Sequence, residues 1–331
     1  MAHDGTHEST ATTGLWLPDV LGEGWVARTL PLRPDDEGEV VATLVRRAGT
    51  PGSQRAVLYV HGFVDYFFQT HLADEVAAHG YDFYALDLRK YGRSLRAHQT
   101  PNYVAELAEY AEELDRSAQI IRAEEGHTEL VVLGHSTGGL VASLWADART
   151  RRGTPSVVDA LVLNSPWFDL NESWFYRVVV TRIIDLVGPL APMLRVGNVQ
   201  PYYGRALHSG SGGEWTYDLA WKPHEGFPAR AAWLRAIRRG HARIARGLDI
   251  ACPVLVLASA SSGSAKTWHE ALVTTDSVLD VEQTVARAPG LGRDVTVVQV
   301  PGGAHDLALS PEPARSVFFA EMFRWLADRQ A

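Results

Sequence analysis

Short apolar runs alternate along this chain with longer stretches in which charged and apolar positions interleave. Residues 40–45, 56–60, 81–88, 130–133, 160–163, 253–258 and 295–300 are almost continuously apolar. Runs this short and this uniform predict strands buried on both faces, as in a parallel sheet. Helical spacing dominates between them. Residues 102–125 place Val104, Leu107, Tyr110, Leu114, Ile120 and Ile121 among charges, and 311–329 do the same with Val317, Phe318, Met322, Trp325 and Leu326. A third helix is expected over 137–148, directly after a strand. Strand and helix in alternation predict an α/β fold: a mostly parallel central sheet flanked by helices.

The alternation breaks once, over residues 167–248, where no clear strand pattern occurs. Two helices are expected there, at 174–194, with Pro189 and Pro192 breaking its end, and at 229–247, with a Gly/Ser-rich loop at 208–214. Half of the ten tryptophans, Trp167, Trp174, Trp215, Trp221 and Trp233, fall in this stretch. Insertions of this size inside a compact domain usually have a role. The expected organisation is a loose tail at 1–14, a core built from 15–166 and 249–331, and a helical cap at 167–248.

Composition narrows the function. The formal charge is −8 over 331 residues, which disfavours a nucleic-acid partner. Cys252 is the single cysteine, so no intrachain disulfide forms. The first residues lack the basic and apolar signature of a signal peptide, and no long apolar run suggests a membrane span. A cytoplasmic protein is expected, with peripheral lipid contact left open. No phosphate-cradling loop and no closely spaced metal-ligand set occurs, so no cofactor or metal is expected.

The strongest chemical signal is Gly134-His135-Ser136-Thr137-Gly138-Gly139, entered from an apolar strand and leaving into a helix. A serine at such a turn projects its hydroxyl above the sheet, and flanking glycines allow strand and helix to pass closely. Ser136 is therefore the expected nucleophile, rather than part of an ordinary Gly/Ser turn. Two backbone N–H groups must meet the oxyanion. Thr137 supplies one, and Phe63, in the loop His61-Gly62-Phe63 after an earlier strand, the other. His61 itself is expected to brace that loop. In this chain order the acid and then the histidine follow the serine. His305, in the loop after the last strand, is the expected base, with His241 and His269 as rivals. Asp276 lies in a loop before a helix and is the preferred acid. Asp280 is its rival and, with Glu282, resembles a first-turn helix acid; Glu270 is a further alternative.

These features together resemble the α/β-hydrolase superfamily, in particular its monoacylglycerol lipase, lysophospholipase and serine-aminopeptidase-like group. The resemblance spans about residues 40–326 and rests on His61-Gly62-Phe63, Asp87-x-Arg89-x-x-Gly92-x-Ser94, the serine turn, Asp276-x-Val278-x-Asp280 and Gly303-x-His305. It implies an α/β-hydrolase fold with an inserted helical cap and a Ser–Asp–His triad. The family's acid is the first aspartate of the fourth motif, at a separation similar to the 29 residues between Asp276 and His305. The chain departs from the family in Lys90-Tyr91 before Gly92 and in its long, tryptophan-rich cap.

The substrate expected is a small-molecule carboxylic ester: a monoacylglycerol, a lysophospholipid or another small-to-medium acyl or aromatic ester. Trp167, Phe168, Trp174 and Trp215 are candidate pocket residues, though packing of the cap onto the core would use the same residue types. The arginines of 229–247 read as a solvated face or as a surface for anionic groups. An amide or C–C bond hydrolase on the same triad, and a non-catalytic binding protein on the same fold, are the alternatives.

Overall fold

A computed structural model describes residues 14–154, 157–170 and 188–329. Its centre is a nine-stranded sheet. The strands are β1 (Leu17–Pro18), β2 (Trp25–Asp35), β3 (Gly38–Arg47), β4 (Arg55–Val60), β5 (Asp82–Asp87), β6 (Glu129–His135), β7 (Ala160–Asn164), β10 (Val254–Ser259) and β11 (Val295–Val300), in spatial order β1-β2-β3-β5-β4-β6-β7-β10-β11. The neighbours from β5 to β11 are all parallel, while β1, β2 and β3 pair antiparallel at one edge, β3 against β5. All seven predicted strands are present. The sequence reading omitted β1 and β2.

Helices α1 (Thr70–Ala78), α2 (Ala111–Gln119), α3 (Thr137–Arg151), α6 (Val281–Arg287) and α7 (Ala314–Ala327) cover the sheet. One apolar layer gathers Leu114, Ile121, Leu140, Trp145 and Ile237 against one face. The other gathers Val76, Phe318, Met322 and Trp325. The strand β6 shows why its residues choose this form. Leu130 and Val132 face the first layer and Val131 and Leu133 the second, each at most 1% exposed. Each such burial contributes about 1.5–3 kcal/mol, and a period of two divides it between both faces.

Between β7 and β10 the chain forms α4 (Pro201–Leu207), α5 (Ala231–Ala245) and a two-stranded antiparallel ribbon of β8 (Arg195–Gly197) with β9 (Ala229–Arg230). The ribbon corrects the expectation of no strand here; its strands are too short to leave a periodic pattern. The helix expected at 174–194 falls mostly outside the described residues, and its end is corrected as well. Residues 188–194 form turns, as Pro189 and Pro192 withhold two helical N–H donors. The arginines of α5 are not a free face. Arg238 pairs with Asp169, Arg239 with Glu106 and Arg243 with Asp147, so the helix is tied to three other parts of the chain.

Parallel register gives the site its location. Val60 lies opposite Gly134, His135 opposite Asn164, and Ser259 opposite Val300. The loops after β4, β6, β7, β10 and β11 therefore leave one edge of the sheet side by side.

Candidate active site

Ser136 is the residue between β6 and α3, at φ 52° and ψ −116°. A non-glycine residue is costly there, and close packing holds it. A side chain on Gly138 would collide with the carbonyl oxygens of Val60 and His61, and one on Gly134 would lie 2.8 Å from Gly138 O. The Ser136 N–H donates to Asn164 O at 3.0 Å, and Trp167 N–H donates to Ser136 O at 3.0 Å. The turn is thus fastened to the end of β7 and to the chain that follows it.

His305 stands over the serine. Its Nε2 is 3.0 Å from Ser136 Oγ, and its Nδ1 is 3.0 Å from Asp276 Oδ2. With Nδ1–H donating to the carboxylate, the Nε2 lone pair faces the hydroxyl. The other oxygen of Asp276 accepts from the N–H groups of Val278 and Leu279 at 3.0 and 2.8 Å. The rivals lie elsewhere. Asp280 caps α6, accepting from Glu282 N–H at 3.0 Å. His241 is buried against Trp167, and His269 Nε2 contacts Ser264 O. Burial holds His241 below the ordinary imidazole range, with the nearby Arg238 guanidinium adding to the shift.

The loop after β4 passes beside the serine, and a side chain on Gly62 would sit 3.1 Å from Ser136 Cβ. Among the described residues, the N–H groups of Phe63 and Thr137 have no hydrogen-bond partner. His61 ties this loop to β5: its Nε2 accepts from Leu88 N–H at 3.1 Å, its Nδ1 lies 2.8 Å from Gly62 O, and its ring packs on Tyr91 at 4.9 Å. Burial lowers its pKa and keeps the neutral ring that this accepting role needs. The Asp87–Ser94 motif braces the same loop. Asp87 accepts from Phe67 N–H and from Arg93, and Ser94 Oγ donates to Asp87 O at 2.8 Å. The unusual Lys90-Tyr91 fits this frame, with Lys90 paired to Asp35 and Glu37 and Tyr91 against His61.

The sequence reading missed a second set of side chains. Asp306, next to His305, accepts from Asn164 Nδ2 at 2.7 Å and from Gln69 Nε2 at 3.3 Å, and its N–H donates to Tyr203 Oη at 2.9 Å. Asp65, His135 and Asp306 bring polar atoms within 4.8 Å of one another. No spacing in the chain foretold this grouping, because its members come from the end of β6 and from the separate loops after β4 and β11. The Lys222 ammonium rests on Asp65. One signal was available: the chain has only three lysines, and two of them, Lys222 and Lys266, line the same cavity.

That cavity has a volume of about 560 Å³ and opens over Ser136 and His305. Trp167 lines it, together with Leu170, Tyr203, Tyr217 and Trp233. The other proposed pocket residues are placed differently. Phe168 is 1% exposed in the main apolar core. Trp215 stacks on His71 at 4.3 Å and donates from Nε1 to Leu309 O, and does not itself line the cavity. Both are large apolar surfaces that found protein partners before reaching the opening. Trp174 lies outside the described residues.

Solved structures share this architecture. A soluble variant of monoglyceride lipase from Saccharomyces cerevisiae, in complex with a substrate analog, is 15% identical, with a TM-score of 0.67 over 92% of this chain and 96% of that one. A carboxyl esterase from Bacillus coagulans, in complex with glycerol, is 14% identical, with a TM-score of 0.64 over 91% and 98%. The monoacylglycerol lipase of Paleococcus ferrophilus is 18% identical, with a TM-score of 0.60 over 82% and 93%. Among the described residues, no helix is long and apolar enough to cross a membrane. Residues 51–312 match the serine aminopeptidase S33 family, and with the sheet order and serine turn described above, the chain belongs to this family of α/β-hydrolases.

Proposed function

We propose that this chain hydrolyses a carboxylic ester through an acyl-enzyme on Ser136. The observation that carries the reading is the line Asp276–His305–Ser136, with 3.0 Å at each step, on the floor of an aromatic-walled cavity. Ser136 Oγ attacks the ester carbonyl while His305 Nε2 takes its proton. Asp276 holds the Nδ1–H tautomer and steadies the imidazolium without itself taking a proton. The Phe63 and Thr137 N–H groups receive the oxyanion, each such donor being worth about 10²–10³ in rate. His305 then protonates the departing alcohol. Water attacks the acyl-enzyme by the same route and releases the acid.

The cavity suits a small-to-medium acyl or aromatic ester, with Trp167, Leu170 and residues between Val196 and Leu234 walling it on the cap side. An aminopeptidase would need a free carboxylate for the substrate amine. Among the described residues, the carboxylates on the cavity wall are Asp65, neutralised by Lys222, and Asp306, engaged by Asn164 and Gln69. This favours the ester reading. A fluorophosphonate probe with peptide mapping, alongside p-nitrophenyl esters of graded chain length, tests it. Labelling at Ser136 with ester turnover is expected. Folded protein that neither labels nor turns over any ester would overturn the proposal in favour of a non-catalytic binding protein.

A further inference from the structure

The loop that carries Phe63 is held in a shape it would not choose alone. Val64, a β-branched residue, has φ 51°, in the left-handed region that such side chains rarely adopt. Something outside the loop must keep it there, and beside the Asp87–Ser94 brace the ties come from the segment between β7 and β10. Asp65 sits one residue after Val64, with its side chain 2% exposed, and its carboxylate is bound by the Lys222 ammonium. The other oxygen lies 3.5 Å from Gly62 N, so the carboxylate spans the loop from Gly62 to the ammonium. Lys222 is held in turn over the rings of Phe68 and Tyr217, at 5.4 and 5.5 Å. Tyr66 Oη accepts from Asp218 N–H at 2.7 Å, and Phe63 stacks on Trp233 at 4.2 Å. Of these ties, only the one to Lys222 joins two charges. Burial works to raise the Asp65 pKa, but the Lys222 ammonium outweighs it and keeps the group below the usual carboxylate range.

We infer that Lys222 is a positioning residue for the oxyanion loop, holding it through Asp65 so that the Phe63 N–H stays aimed over Ser136. The inference rests on the ester-hydrolase reading above. Lys222 touches neither Ser136 nor His305 in this arrangement; it acts through the carboxylate of Asp65. Because an oxyanion exists only as the reaction proceeds, a displaced donor lowers kcat and leaves substrate binding nearly intact.

The test compares steady-state p-nitrophenyl ester kinetics of wild type, Lys222→Met, Lys222→Arg and the double variant Asp65→Asn/Lys222→Met, with thermal melting of each. Lys222→Met is expected to lose about 10–100-fold in kcat, somewhat less than outright loss of a donor, with KM within about threefold. Lys222→Arg, which keeps the charge, should recover most of that loss. The double variant carries no unbalanced buried charge and should melt near wild type, yet stay about tenfold low in kcat because the tether is gone. Wild-type kcat in Lys222→Met or in the double variant overturns the inference. If Lys222→Met fails to fold, the double variant alone decides. Wild-type protein that turns over no ester and takes no label at Ser136 would instead remove the hydrolase reading, and this inference with it.

Discussion

The floor and the wall of this cavity are built on different principles. The floor, with Ser136, Asp276 and His305, hangs from loops at the ends of β6, β10 and β11, whose places follow from strand register. The wall, among the described residues of the segment between β7 and β10, is held by ion pairs, ring contacts and single hydrogen bonds between residues far apart in sequence. Register is set by many repeated backbone bonds and tolerates the loss of any one side chain. The wall depends on individual side chains. Changes to the floor should therefore act on the chemical step, and changes to the wall's aromatic lining on which substrates reach it, with Lys222 the exception because it acts through the loop that carries Phe63.

The largest expected effect tests the floor alone. Ser136→Ala should cost at least about 10⁴-fold in kcat, as removal of a triad nucleophile does, and leave the melting temperature nearly unchanged. Appreciable turnover with a folded variant would take Ser136 out of the chemistry. Next, Asp276→Asn should lose about 10³–10⁴-fold in kcat because it can favour the wrong imidazole tautomer. Asp280→Asn should keep kcat within about twofold and change stability by less than about 1 kcal/mol, since asparagine also caps helices well. Equal losses from the two would break the assignment of the acid.

Two aromatic neighbours in sequence then sharpen the contrast between wall and core. Phe168→Ala should destabilise the fold by about 3–5 kcal/mol through the cavity it leaves. Trp167→Ala should act mainly on KM and chain-length preference, by about tenfold, read from the p-nitrophenyl ester series. The smallest effect is in pH. Burial depresses the pKa of His61, His71 and His135, outweighing the nearby carboxylates that favour the charged ring. A lowered folded pKa means that the unfolded chain binds protons first. Stability should then be fully present above about pH 6.5, the unfolded histidine value, and fall as pH drops below it. Thermal melting between neutral and mildly acid pH reads this, and His135→Gln should flatten the slope.

The floor was legible because its residues sit where periodicity ends: Ser136 after a uniformly apolar run, His305 after another, Asp276 before a helix start. The antiparallel strand β2 was missed because it is half-buried, with Arg28, Pro31 and Arg33 interrupting its apolar positions. The wall was only partly legible. The helix α5 has a clear apolar stripe, but tryptophan content could not separate Trp167, on the cavity, from Trp215, packed on His71. Nor could it find Lys222 and Asp65, 157 residues apart and joined only by the fold.

The separation between nucleophile and base has a consequence for synthesis. Ser136 precedes His305 by 169 residues, so a chain emerging from the ribosome exposes its serine long before it owns the histidine proposed to activate it. An unassisted serine hydroxyl is a poor nucleophile. On the proposed mechanism the growing polypeptide therefore has no complete Ser136–His305 pair until β11 has joined the sheet, and ester turnover would report only chains folded through His305.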